Sequence, residues 1–181
     1  MTGAGIRRCA TADARLLSEL ATEAFPLACP PETTTENIRA FCEHNLSPGA
    51  FEKYLASAEI AIWIAEDSGT AVGYVMSVSG EPGDPDIARS ITLRPTVEIS
   101  KLYVLSSHHG SGLARKLLAL ALEHARHDGA ASVWLGVNRE NRRANRFYEK
   151  SGFALVGERF FPVGESLESD VVREKVLDSL A

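Results

Sequence analysis

The run Val104-Leu-Ser-Ser-His-His-Gly-Ser-Gly-Leu-Ala-Arg-Lys-Leu-Leu118 holds the residue types most suggestive of chemistry. An apolar strand ends there, Gly110 and Gly112 follow, and a Leu- and Ala-rich helix begins. Glycine lets a backbone turn tightly and come close to a ligand. The first N–H groups of a helix have no partner inside it, and the helix dipole places positive charge at that end. Such a turn suits a phosphate or a pyrophosphate. His109, Ser111, Arg115 and Lys116 surround it and can add donors. Two nucleotide signatures are missing: the G-x-G-x-x-G fingerprint with its later acidic residue, and the G-x-x-x-x-G-K-[ST] loop. Taken alone, the two glycines also read as nothing more than relief for a tight strand–helix connection.

A second cluster follows the apolar run Val133–Val137. It holds Asn138, Asn141, Ala144, Phe147, Tyr148, Glu149, Lys150, Gly152 and Phe153. Asn141, Ala144 and Tyr148 recur at i, i+3 and i+7, so they share one helix face. An amide, a small residue and a phenol on a face just past a strand's end make an unusual set for packing alone. The carboxyl ends of parallel strands are where α/β sheets bind ligands. Glu98, on the strand before the glycine turn, adds a carboxylate. By alternation it shares a face with Ser100, Leu102 and Val104 unless a bulge intervenes.

The surrounding pattern shows what must position these groups. A short strand over Ile6–Ala10 leads to a helix over Ala12–Ala24, with Thr11 as N-cap. Pro26, Pro30 and Pro31 stop that helix. Thr34 and Thr35 open a second helix, through Ile38, Phe41, Cys42 and Leu46. Ser47-Pro48 caps a third over Gly49–Ser57. Strands Ile60–Glu66 and Val72–Ser79 flank a turn at Asp67-Ser68-Gly69-Thr70. Gly80–Arg89 reads as a loop. Strand Val97–Val104, helix Gly110–His127, strand Ala131–Val137 and helix Arg142–Lys150 follow, then strands Phe153–Pro162 and Asp170–Leu177. The order is β, helices, ββ, β, α, β, α, ββ. It predicts an α/β fold: a mixed, mostly antiparallel sheet of six or seven strands, with helices on both faces and a central parallel βαβ unit.

Composition sets the outer limits. The chain has 181 residues, 45% of them hydrophobic and 24% charged. That fits one domain over 1–181, large enough to need no disulfide or metal staple. Its net charge of −5 argues against a nucleic-acid partner, which usually calls for a basic patch. Cys9, Cys29 and Cys42 show no zinc spacing and read as reduced thiols, which points to the cytoplasm and to no metal. Met1 to Ala10 has no apolar run behind Arg7 and Arg8, and no 18-residue apolar run occurs, so neither a signal peptide nor a membrane span is expected. Trp63, Trp134 and Cys42 read as core, and His124 and His127 as surface groups at a helix end.

Together the two clusters resemble the GNAT superfamily of acetyl-CoA-dependent N-acetyltransferases. That pattern is an apolar strand, Q/R-x-x-G-x-G/A opening a helix, a second apolar strand, an Asn, and Y-E-K-x-G-F. Here the first motif reads His109-Gly110-Ser111-Gly112-Leu113-Ala114. The second reads Asn141-Arg-Arg-Ala144-Asn-Arg-Phe147-Tyr148-Glu-Lys-Ser-Gly152-Phe153. The likeness is strongest over residues 60–162. His109 departs from it, standing where Gln or Arg is usual.

The resemblance implies acetyl-CoA as cosubstrate. Leu102, Tyr103 and Val104 would pair through their backbone with the pantetheine arm. His109, Gly110, Ser111, Gly112, Leu113, Ala114 and Arg115 would cradle the pyrophosphate, and Asn141 and Ala144 would line the cofactor. Tyr148 would point at the sulfur as general acid, the alternative being a ring that only packs there. Glu98 would be the base, directly or through water, the alternative being a solvated strand-end carboxylate. A weaker likeness to the Pai-type bacterial spermidine/spermine acetyltransferases runs through Thr35-Glu-Asn-Ile-Arg-Ala-Phe, Gly157-Glu-Arg-Phe-Phe-Pro-Val-Gly and Asp170. It implies a polyamine or other small alkyl amine as acceptor. A protein N-terminus or lysine is one alternative, and a non-catalytic acyl-CoA sensor another. The acceptor would lie between Phe25–Tyr54 and a loop Arg159–Ser169, among Glu32, Glu36, Glu43, Glu52, Glu158, Glu165 and Glu168. A homodimer is the family's default.

Overall fold

A computed structural model describes residues 4–178. Residues 1–3 and 179–181, the ends of the expected 1–181 domain and of the leader reading, lie outside the described residues. Among the described residues, seven strands are β1 (Gly5–Arg8), β2 (Ile60–Asp67), β3 (Thr70–Ser79), β4 (Thr96–Val104), β5 (Ser132–Asn138), β6 (Ala154–Val163) and β7 (Ser166–Val176). Six α-helices among them are α1 (Ala14–Ala24), α2 (Thr35–Asn45), α3 (Pro48–Ala56), α4 (Pro85–Ser90), α5 (Leu113–His127) and α6 (Arg142–Lys150). The strands form one sheet in the order β1-β2-β3-β4-β5-β7-β6. Only the β4–β5 pairing is parallel. The mixed sheet with its central βαβ unit is therefore the one the pattern predicts.

Helices α2 and α3 begin where their caps require. Thr34 accepts a hydrogen bond from Asn37 N–H and Ser47 from Ala50 N–H, with Pro48 in the first turn of α3. The start of α1 differs from expectation. Thr11–Asp13 forms a 3-10 turn, and the Asp13 carboxylate takes the Ala10 N–H at 2.8 Å and pairs with Arg7. The expected loop Gly80–Arg89 contains α4. Asp84 caps it, accepting from Asp86 N–H, and Pro85 occupies its first turn. That helix covers Trp134 and Val172 with Ile87 and Ile91. The expected loop Arg159–Ser169 is instead the β6–β7 hairpin.

Two cores lie on opposite sheet faces. One packs α5 and α6 against β2 to β5, with Leu117 and Ala121 fully buried. Burying one Leu side chain contributes roughly 2 kcal/mol. The other packs α1, α2 and α3 against β2 and β3, around Phe51, Leu17 and Tyr74. Trp63, Trp134 and Cys42 are core residues, as their apolar surroundings predict. His124 is less exposed than expected: its ring meets Trp63 edge-on at 5.1 Å.

Strand β4 carries the feature that shapes the site. Met76 pairs with Lys101, but Ser77 pairs with Ile99, so Ser100 is an extra residue on β4. This bulge resets the alternation. Val97, Ile99, Leu102 and Val104 face α5, whereas Glu98, Lys101 and Tyr103 face the other side. The expectation that Glu98 shares a face with Leu102 and Val104 is thereby corrected. Past the bulge, β4 and β5 also separate. They pair only at Thr96–Ser132, Val97–Val133 and Glu98–Trp134, while β5 stays on β7 along its full length.

Candidate active site

The separation opens a cleft between β4 and β5. Leu102 and Tyr103 form one wall, Val137 and Asn138 the other, and α6 contributes Asn141, Ala144 and Tyr148. The one-face spacing expected of Asn141, Ala144 and Tyr148 is thus realised in the cleft. Asn141 also caps α6, its Oδ1 accepting from Ala144 N–H at 3.0 Å. From Ile99 to Val104, the β5-facing edge of β4 has no strand across it.

At one end of the cleft is the glycine turn. Gly110 and Gly112 each have φ near 82°, the left-handed conformation that glycine tolerates best. A Cβ at either would meet nothing within 4 Å, so the backbone angle and not crowding calls for glycine. Helix α5 starts at Leu113, not Gly110. Ser111 closes the turn, donating to His108 O at 2.7 Å and accepting from Leu113 N–H at 3.3 Å. Among the described residues, the N–H groups of Gly110, Gly112, Ala114 and Arg115 have no acceptor. Four orphan donors at a helix N-terminus fit an anionic diphosphate.

His109 is held by the protein on both ring nitrogens. Nε2 donates to Val104 O at 2.8 Å, and Nδ1 receives the Arg143 guanidinium. His109 thus braces the end of β4 against α6 and brings Arg143 to the rim beside Val104 and Ala114.

The other end of the cleft is a cavity of about 180 Å³ carrying opposed charges. Glu98, Glu168 and Asp170 supply carboxylates, and Lys101 and Arg159 supply cations. The Arg159 guanidinium lies 3.2 Å from Asp170 and 3.9 Å from Glu98, over the Phe161 ring at 4.9 Å. It rests against Gly136, where a Cβ would run into it. Burial raises the Glu98 and Asp170 carboxyls above their ordinary range, and Arg159 opposes both shifts. Burial lowers the Lys101 ammonium to about 8, with Glu98 pulling the other way. Of the glutamates expected around the acceptor, only Glu168 lines this cavity, while Glu32, Glu36, Glu43, Glu52, Glu158 and Glu165 are exposed.

Tyr148 sits between the two ends. Its ring lies edge-on to Phe147 at 5.2 Å and Phe153 at 5.8 Å. Burial pushes its phenol well above the usual value, so it stays protonated at neutral pH. Among the described residues nothing hydrogen-bonds its hydroxyl. Lys101, Arg143, Arg159 and Gly136 escaped the sequence reading. An Arg after an Asn cap, or a lysine in an apolar strand, is too common to stand out. The Gly in Val133–Val137 was the available signal, since a strand-interior glycine often marks a close approach.

The Acetyltransferase (GNAT) family model matches residues 15–153. An uncharacterised N-acetyltransferase of Mycobacterium tuberculosis is 42% identical over 165 residues, 91% of this chain and 98% of that protein. The chain belongs to the GNAT acetyltransferase family. Among solved GNAT structures, the PaiA N-acetyltransferase of Thermoplasma acidophilum in complex with coenzyme A superposes with a TM-score of 0.77. It shows 18% identity over 97% of this chain and 100% of that one. YncA of Salmonella typhimurium with acetyl-CoA gives 0.63, at 23% identity over 99% and 97%. This chain is an acetyl-CoA-dependent N-acetyltransferase with the GNAT fold. Among the described residues no cluster of metal-ligating side chains occurs, and no helix is long and apolar enough to cross a membrane.

Proposed function

We propose that this GNAT enzyme acetylates a small primary alkyl amine of the polyamine class. The supporting observation is a set of ties that narrows the acceptor end. Asn37 of α2 accepts from Glu165 N–H at 3.0 Å and donates to Ser166 Oγ at 2.8 Å, while Thr33 donates to Glu168 at 3.1 Å. These bonds join the start of α2 to the tip of the β6–β7 hairpin, beside the 180 Å³ cavity that Glu168 lines. Drug-sized ligands occupy roughly 300–1,000 Å³. So narrowed, the space suits a slender amine better than a bulky acceptor. The three carboxylates, set against two cations, favour an acceptor carrying positive charge.

In this reading the unpaired edge at Leu102, Tyr103 and Val104 pairs with the pantetheine arm. The N–H groups of Gly110, Gly112, Ala114 and Arg115 hold the diphosphate, with Arg143 adding a cation at the rim. Asn141 and Ala144 line the cofactor. Acetyl-CoA supplies an acyl carbon already activated as a thioester. The protein's tasks are then alignment and proton transfer. An alkyl amine with pKa near 10.4 must lose a proton, which costs roughly 4 kcal/mol at neutral pH. Glu98 takes that proton, directly or through water. Tyr148, kept protonated by burial, donates to the departing sulfur.

Thiol release from acetyl-CoA tests this against spermidine, shorter alkyl amines, peptide N-termini and lysine peptides. The expected kcat/KM for the small amines is about 100-fold above any peptide, as expected when narrowing rejects the larger acceptor. Preference for a peptide would overturn the acceptor. Binding of CoA with no turnover of any amine would favour a sensor.

A further inference from the structure

We propose that Lys101 is a self-acetylation site, its side-chain amine taking the acetyl group from acetyl-CoA when no external amine occupies the acceptor end. Its placement follows from the β4 bulge. Without the extra residue at Ser100, Lys101 would point toward α5. With it, Lys101 lines the same cavity as Glu98, Tyr148 and Leu102. Its Nζ lies 3.5 Å from Ser100 Oγ and 5.5 Å from the centre of the Tyr54 ring. It also borders a neighbouring hollow with Phe41 and Phe161. None of the other four lysines, Lys53, Lys116, Lys150 and Lys175, lines the cleft.

Lys101 is also a partly buried amine without an ion pair. Among the described residues no carboxylate comes within 4.0 Å of its Nζ. An ammonium in such a place is costly and loses its proton readily. With the ammonium lowered to about 8, a substantial fraction is neutral at pH 7.5. A solvated lysine is neutral there to only about one part in a thousand. Lys101 is therefore the nucleophilic lysine of this chain, in the cavity proposed for the external amine.

The step balances without any other reactant. The neutral Nζ lone pair attacks the acetyl carbonyl carbon, a C–N bond forms, and the C–S bond breaks. The nitrogen releases one proton and the CoA sulfur takes one up. The products are Nε-acetyl-lysine and CoA thiol. The amide carries no charge and fills part of the cavity, so acceptor turnover should fall as labelling proceeds.

This inference rests on the cleft being the acceptor end, as under Proposed function, but not on the acceptor being a polyamine. The full chain is incubated with acetyl-CoA and no acceptor, then digested and mapped by mass spectrometry. Expected is an acetyl group on Lys101, appearing at least about 10-fold faster than on any other lysine, as proximity dictates. Excess free CoA should slow labelling of Lys101 alone, and Lys101→Arg should abolish it at that position. Labelling of Lys101 no faster than the surface lysines, or unaffected by CoA, overturns the proposal. An unlabelled Lys101 in a protein that acetylates spermidine overturns it and leaves the acceptor reading intact. A labelled Lys101 in a protein that acetylates no external amine upholds it while the acceptor reading falls.

Discussion

Glu98 can take a proton only when ionised, and its burial works against ionisation. Activity should therefore rise with pH through a carboxyl whose pKa lies above the ordinary carboxylate range. Glu98→Gln should lower kcat/KM by roughly 100-fold and erase that acid limb, as read from pH–rate profiles. An unchanged limb assigns the proton to a water chain instead. Tyr148 meets the opposite requirement, since a donor must stay protonated and burial keeps it so. Tyr148→Phe should lower kcat by about 10-fold or more with KM for acetyl-CoA nearly unchanged. Unchanged kcat would leave the ring a packing role only. Both residue types stand out in the sequence beside the glycine turn. Lys101 does not, because a single lysine between Ser100 and Leu102 carries no visible sign of its surroundings.

Strands β4 and β5 show how an element sets the state of a side chain it does not carry. Gly136 leaves the room in which the Arg159 guanidinium lies against β5, near Glu98 and Asp170. Gly136→Ala should push that flexible guanidinium aside and leave the strand in place. Removing a nearby cation raises a carboxyl's pKa. The acid limb of kcat/KM should therefore move to higher pH, while a thermal melt drops only slightly. A large loss of stability with an unmoved limb would show that the strand had yielded instead. Alternation marks β4 in the sequence, and a continuous apolar run marks β5. The bulge at Ser100 leaves no such mark, because it exists only as a mismatch between β4 and its partner β3.

Across the whole molecule, the start of α2 is joined to the β6–β7 hairpin, beside the proposed acceptor end, by contacts between segments far apart in the chain. Asn37 and Ser166 are 129 residues apart, and Thr33 and Glu168 are 135 apart. Asn37→Ala should release the hairpin tip from α2 at a stability cost of about 1 kcal/mol. KM for small amines should rise and acetylation of peptides should increase, measured with the same thiol assay. Unchanged selectivity would remove these ties from the specificity argument. The net charge of −5 also takes on meaning at this scale. A cofactor as anionic as CoA gains nothing from the global field; under the proposed reading it is held by local N–H groups and by Arg115 and Arg143.

The sequence by itself determined the order of the strands and of every helix but α4, the strand–glycine–helix turn, the apolar central strand and the face shared by Asn141, Ala144 and Tyr148. Each is a local property, written in periodicity, caps and turn residues within a few positions of one another. Only the tertiary structure decided that Glu98 faces away from Leu102, that His109 braces Arg143, that Arg159 lies on a β6–β7 hairpin and reaches Glu98, and that Lys101 enters the cleft. These depend on register between strands and on which distant side chain occupies a given space. A one-residue slip turns every later side chain to the opposite face, and nothing within β4 alone records that slip.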